Sequence, residues 1–201
     1  MKAPDDATTR ALRVWDRMAP RYDRDMRLME KLWFGGGRQW IADRVRGEVL
    51  EVAIGTGLNL DHYPDDVSIT GVELSPAMLA VARRRAADLG RPVALHEGDA
   101  QALPYGDDTF DTVVCALSLC AIPDPATAIG EMRRVLRPGG RLLLLDHVAS
   151  TWWPIRAGQR MLERLTVPTA GEHFTRRQLP LVVAAGLVVE EAQRLKAGTM
   201  E

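Results

Sequence analysis

Cysteine is almost missing from this chain: Cys115 and Cys120 are the only two in 201 residues. Both lie in or beside an apolar run, so they read as reduced packing residues of a cytosolic protein. Without a CxxC pair or a Cys/His cluster, nothing in the spacing points to zinc. Net charge is lacking too. A formal value of −1 leaves no broad basic field for nucleic acid, and that class of partner is excluded. Lysine is scarce, with only Lys2, Lys31 and Lys196, so nearly all positive charge is arginine. The polar, acidic start "MKAPDDATTR" argues against a signal peptide. No apolar run approaches the roughly 20 residues that cross a bilayer. Repeats and low-complexity linkers are absent as well. What remains is one soluble globular domain over residues 1–201, with 46% hydrophobic and 26% charged residues, ordinary for that class.

Residues 8–18 place Ala11, Leu12, Val14, Trp15 and Met18 at helical spacing, and Pro20 is expected to close that helix. A second amphipathic helix is expected over 24–34, broken by Gly35-Gly36-Gly37. From residue 48 short β-rich runs alternate with helical ones. Strands are predicted near 48–53, 67–73, 93–97, 110–116 and 141–147, with helices near 57–62, 76–89 and 125–136. Pro138-Gly139-Gly140 reads as the turn that ends the third of these helices. Helices over 154–166 and 175–185 and a sixth strand over 187–193 complete the reading. This alternation predicts an α/β fold: a Rossmann-like, doubly wound, mostly parallel sheet with an N-terminal helical lid. The single domain divides into a lid and acceptor region (1–46), a cofactor-binding core (47–147) and acceptor-side helices with the last strand (148–201).

The stretch "EVAIGTGLN" at Glu51–Asn59 stands at the end of the first strand, where a doubly wound sheet binds its ligands. It is either a tight turn or a loop whose backbone N–H groups approach a ligand without a Cβ in the way. A dinucleotide loop would carry a third glycine, and Leu60 occupies that position. The second strand ends in Glu73, a carboxylate placed to accept from both hydroxyls of a ribose. The third leads to Asp99, which can accept from the amino group of an adenine.

These motifs, in this order, resemble the class I S-adenosylmethionine-dependent methyltransferases. The resemblance rests on "EVAIGTGLN", "GVELSPAML", "GDAQALPYGDDTFDTVVCALSLC" and "EMRRVLRPGGRLLLLDH". Within the class the chain resembles the methyltransferase 11 group, which includes ubiquinone/menaquinone, phosphatidylethanolamine N- and alkyl thiol methyltransferases. "PRYDR" is similar to a segment of those enzymes. The resemblance implies S-adenosyl-L-methionine as cofactor. It implies that Glu51, Ala53, Gly55, Thr56 and Gly57 cradle the methionine part and that Glu73 holds the ribose. Leu74 and Met78 would flank the adenine, Asp99 and Ala100 would meet it, and Ala116 and Leu117 would touch the cofactor through their backbone, with Ser118 beside them. Ala53 departs from the pattern, since many members carry glycine there.

Methyl transfer needs alignment of the acceptor and exclusion of water, and a base only where the acceptor must lose a proton. Tyr22 is a candidate lid residue over the methyl end, against the alternative of simple helix packing. His147, ending the fifth strand, is a candidate proton acceptor, against a structural role. His173 is a second, weaker candidate, and no metal is expected. All five tryptophans (Trp15, Trp33, Trp40, Trp152, Trp153) lie outside the core, which suits a hydrophobic small-molecule or lipid-headgroup acceptor such as phosphatidylethanolamine. A quinone precursor or a small thiol is the alternative acceptor, and a non-catalytic cofactor-binding regulator the alternative class. Arg24, Arg27, Lys31 and Arg38 beside apolar groups give residues 24–40 the pattern of a peripheral membrane contact on a cytoplasmic protein.

Overall fold

The structure, a computed structural model, describes residues 6–29, 36–194 and 197–201. Five strands form its centre: β1 (Glu48–Val52), β2 (Ser68–Glu73), β3 (Val93–Glu97), β4 (Phe110–Ala116) and β5 (Leu136–Leu145). They form one sheet in the order β3-β2-β1-β4-β5, and every pairing is parallel. The order reverses between β1 and β4, so the loops that leave these two strands diverge and open a crevice at their carboxyl ends. Parallel strands buried on both faces need continuous apolar runs. Val49, Leu50 and Val52 in β1 and Val113, Val114 and Cys115 in β4 meet that need, each at most 1% exposed.

Helices α3 (Pro76–Asp88) and α4 (Pro125–Val135) start as their sequences dictate. Ser75 caps α3 by accepting from the Met78 N–H at 3.1 Å, and Asp124 caps α4 through the N–H groups of Ala126 and Thr127, both at 3.1 Å. Proline follows each cap, where its missing N–H is harmless. One core layer packs Leu79 and Ala86 of α3 against Ile41, Val49 and Ile54. The other packs Ile129 and Met132 of α4 against Leu50, Val113 and Val182. Short α2 (Gly37–Ala42) and α6 (Leu179–Ala184) and the longer α5 (Trp153–Ala170) complete the fold. No helix among the described residues is long and apolar enough to cross a membrane.

Several expected elements differ. Helix α1 runs unbroken over Asp6–Met29 with Pro20 inside it, rather than stopping there. The expected second helix begins within α1, and residues 30–35, with Lys31, Trp33 and Phe34, lie outside the described residues. No helix forms over 57–62. Gly57 is left-handed (φ 79°), and the chain continues through i→i+3 turns such as Leu60 N–H to Gly57 carbonyl at 3.0 Å, while the Asn59 side chain turns inward to Glu51. The Pro138-Gly139-Gly140 run is a bulged start of β5 rather than a separate turn, since Leu136 already pairs with Phe110 before the register shifts. Residues 187–193 form no strand. The Leu187 N–H closes α6 on the Val182 carbonyl, and Val188 stands 87% exposed. The tail instead pairs antiparallel just past β5, with Glu201 and Asp146 exchanging both backbone bonds at 2.9 and 3.0 Å.

Ala53 also adopts a left-handed conformation, φ 53°, which an L-residue adopts at a cost of about 1 kcal/mol. Ala53→Gly should therefore raise unfolding stability by about 0.5–1 kcal/mol. Gly57→Ala should lower it by about 2 kcal/mol, because a Cβ there lies 2.9 Å from Leu60 Cδ1 in addition to the backbone strain. Denaturant titration of both variants checks the pair, and equal signs would refute the backbone account.

Candidate active site

A cleft of about 830 Å³, part of it open to solvent, lies over the carboxyl ends of β1, β2, β3 and β4. Its floor is the loop after β1. Left-handed φ values at Ala53, Gly55 and Gly57 (53°, 60° and 79°) alternate with ordinary ones, and such alternation curls successive N–H groups toward one side. Leu117, after β4, is left-handed as well (φ 55°). The Ser118 hydroxyl ties the two loops together, lying 2.9 Å from the Ala116 carbonyl and 3.3 Å from that of Ala53.

Two buried carboxylates face the cleft. Glu51 accepts from Asn59 Nδ2 at 2.6 Å and from the Tyr63 hydroxyl at 2.9 Å. Both donors are neutral. Burial outweighs them and raises the Glu51 pKa to about 7. Arg38 reaches the same group indirectly, donating to Asn59 Oδ1 at 2.5 Å. Glu73 is held by main chain alone: Gly55 N–H on one oxygen and Ser75 N–H on the other, both at 2.9 Å. Its pKa is raised by burial, against the opposing effect of those two bonds. At the end of β3, Asp99 is gripped by Gln101, whose main-chain N–H and amide both donate to it at 2.9–3.1 Å.

Helix α1 roofs the cleft. Ala11, Trp15 and Tyr22 line it, and the Trp15 and Tyr22 rings meet edge to face with centroids 6.2 Å apart. Two aspartates fasten this roof. Asp16 accepts from the Ser75 hydroxyl at 2.5 Å and the Ala77 N–H at 3.2 Å. Asp23 pairs with Arg85 at 2.6 Å, and Arg85 also donates to the Thr56 carbonyl at 3.0 Å. Burial pushes the Tyr22 hydroxyl far above its ordinary pKa, so it stays protonated and acts as a donor.

Eleven of the twelve expected cofactor residues line this cleft: Glu51, Ala53, Gly55, Thr56, Glu73, Leu74, Met78, Asp99, Ala100, Ala116 and Leu117. Tyr22 and Ser118 line it as well. Gly57 does not; it serves the turn, close against Leu60 and Ala82. His147 does not line it either. Its backbone bridges to Met200 and its ring packs edge-on to Phe174 with centroids 5.1 Å apart. His173 lies beside it, its N–H donating to the Cys120 carbonyl at 3.0 Å. Cys120, Asp146 and His147 approach within 4.8 Å of one another, which the sequence spacing hides. Asp146 is engaged there by main chain, accepting from the N–H groups of Cys120 at 2.9 Å and His147 at 2.7 Å. Burial raises the Cys120 thiol well above its usual range, in keeping with a packing role. Sequence reasoning missed Arg38, Asn59, Tyr63, Gln101 and Asp16. Asp16 lies seven residues before Asp23 on one face of α1, a signal within reach. Arg38 gave none, since only the folded chain brings it to Asn59.

Comparison with known proteins agrees with this geometry. Residues 50–144 match the family model described as a methyltransferase domain. The chain is 41% identical over 120 residues to a phosphatidylethanolamine N-methyltransferase of Cereibacter sphaeroides, covering 59% of each. It is 36% identical over 143 residues to a demethylmenaquinone methyltransferase of Thermus thermophilus, covering 66% of this chain and 64% of that one. The chain thus spans about three fifths of the length of these relatives. A crystal structure from Bacillus halodurans, of a protein assigned as a methyltransferase, superposes with a TM-score of 0.68 at 29% identity, covering 77% of this chain and 68% of that one. With the strand order, the loop after β1 and the acidic strand ends all in place, residues 50–144 form a methyltransferase domain of the kind these relatives carry.

Proposed function

We propose that this chain transfers a methyl group from S-adenosylmethionine to a lipid headgroup such as that of phosphatidylethanolamine. The observation that carries the transfer is the pair of desolvated carboxylates, Glu51 and Glu73, at adjacent strand ends beside a loop of curled N–H groups. That donor set fits the group: Glu73 suits two ribose hydroxyls, Asp99 an adenine amino group, and Glu51 an ammonium. When bound, the cofactor supplies a methyl carbon made electrophilic by a sulfonium. Everything else falls to the chain. The loop over Ala53–Gly57 and the walls Leu74 and Met78 bind and orient, and the α1 roof excludes water. Tyr22 presents a hydroxyl donor to whatever enters from the lid side.

The acceptor reading rests on the apolar part of the cleft lining, with Trp15 in the roof and Ala121, Ile122 and Pro123 after β4, and on the similarity to the lipid-methylating relative. A quinone precursor is the second reading, favoured by the longer match to the demethylmenaquinone enzyme. Labelled-methyl transfer to phosphatidylethanolamine in detergent micelles, to a demethylated quinol and to an alkyl thiol decides among them. Label in methylated phosphatidylethanolamine is expected. Label in the quinol fraction would replace the lipid reading, and cofactor binding without transfer to any of the three would favour a regulator.

Glu73→Ala should raise the Kd for S-adenosylhomocysteine at least tenfold, since hydrogen bonds to a charged group contribute about 1.5–3 kcal/mol each. Unchanged affinity in calorimetry would remove Glu73 from the ribose site.

Glu51 gives a pH dependence with a definite sign. Its folded pKa, about 7, lies above the ordinary 4.5, so its contribution to stability is complete below about 4.5 and is lost as pH rises toward 7. A bound ammonium favours the carboxylate and reverses that preference. Cofactor affinity should therefore strengthen from pH 5.5 to 8, with proton release on binding. Glu51→Gln should bind weakly at every pH, while the free protein gains about 1–3 kcal/mol over the parent at pH 8. Calorimetry in buffers of different ionisation enthalpy, with melting curves, reads both. A pH-independent affinity in the parent protein would refute the Glu51 assignment.

A further inference from the structure

Helix α5 is amphipathic in the inverted sense. None of its residues is buried, although it runs for 18 residues over Trp153–Ala170. The side chains that attach it to the body are polar and spaced i, i+4, i+7. Gln159 donates to the Val148 carbonyl at 2.9 Å and that of Phe174 at 3.2 Å. Glu163 accepts from the Thr175 N–H at 2.7 Å, and the Thr166 hydroxyl donates to the Glu172 carbonyl at 3.0 Å. The face turned away from the body is apolar. Trp153, Met161 and Leu165 are 70%, 68% and 69% exposed, and Trp152 just before the helix is 61% exposed. A helix bathed in water shows the opposite arrangement.

Charge identifies what covers this face. Arg160 and Arg164 are exposed along one border of the apolar stripe, whereas the only carboxylate of the helix, Glu163, is turned inward onto Thr175. A second copy of the chain docking by twofold symmetry would set arginine rows near one another with no acid on the helix to answer them. A sheet of lipid phosphates answers both features. Tryptophan settles at the boundary between headgroup and acyl chain, and arginine meets phosphate. The helix also packs against α1, the roof of the cleft. It follows β5, and through Thr166 it holds Glu172, whose charge is felt by Tyr22.

We propose that the outward face of α5 docks on an anionic phospholipid bilayer, with Trp152, Trp153, Met161 and Leu165 in the interface and Arg160 and Arg164 on lipid phosphates. The docking lies flat along the surface, as expected of an interfacial helix. It is a property of the surface and holds whichever acceptor is methylated. The membrane contact expected over residues 24–40 is a separate surface: Arg38 of that stretch lines the cleft, and residues 30–35 lie outside the described residues.

The test is co-sedimentation with vesicles free of phosphatidylethanolamine, made of phosphatidylcholine alone or mixed with phosphatidylglycerol. Binding is expected to the mixed vesicles and to weaken as salt rises. Trp153→Ser with Leu165→Ser should weaken it about tenfold or more, and Arg160→Glu with Arg164→Glu should abolish the preference for phosphatidylglycerol. All four side chains point into solvent, so melting temperature and S-adenosylhomocysteine affinity should hold. Absence of vesicle binding, or binding indifferent to both double variants, overturns the proposal. So does a dimer in light scattering that the Trp153 and Leu165 changes dissolve, which would assign the face to a second copy. Methylation of phosphatidylethanolamine in micelles without vesicle binding would sink the docking alone. Vesicle binding without that methylation would sink the lipid acceptor alone.

Discussion

The rest of the site depends on keeping two carboxylates dry at the ends of neighbouring parallel strands. Glu51 and Glu73 are 3% and 6% exposed, and the donors that reach them are neutral. Such groups are unfavourable in a fold unless something satisfies them. Here neutral donors do so in the free protein: Asn59 and Tyr63 for one, the N–H groups of Gly55 and Ser75 for the other. This arrangement explains the local backbone. The loop after β1 adopts left-handed conformations at alternate residues, and along this path the Gly55 N–H reaches Glu73 while Asn59 turns back to Glu51.

The same constraint organises the helices. A dry site needs a roof, and α1 supplies it with Trp15 and Tyr22. Asp16 and Asp23, one face of that helix, fix it to the start of α3 and to Arg85. Arg85 in turn grips the Thr56 carbonyl, so roof, helix and cofactor loop form one connected polar network. Because exposed ion pairs are individually weak, the fastening rests on the shared, half-buried Arg85 and on the cap of α3 more than on any single bridge.

Legibility in the sequence followed the range of the interaction. The five core strands, α3 and α4 were readable because apolar periodicity, caps and proline positions act over a few residues. The acidic strand ends were readable because the crevice of a doubly wound sheet has a fixed place relative to its strands. The helix expected after Gly57 was not found, because Asn59 is used by a buried partner eight residues back. The sixth strand was not found because Leu187 closes α6. His147 stands at the predicted strand end, yet its backbone is committed to the C-terminal residues and its ring faces Phe174.

By itself the sequence determined the parallel sheet and the order of the motifs along it, which follow from local pattern and topology, and the resemblance those motifs carry implied eleven of the residues that line the cleft. Tertiary structure alone decided the rest. It set Arg38 against Asn59 across 21 residues, raised the pKa of Glu51 through burial that no spacing reveals, and turned the polar side of α5 inward. The physical reason is common to all three. Desolvation and long-range pairing depend on which surfaces meet, and periodicity reports only which surfaces exist.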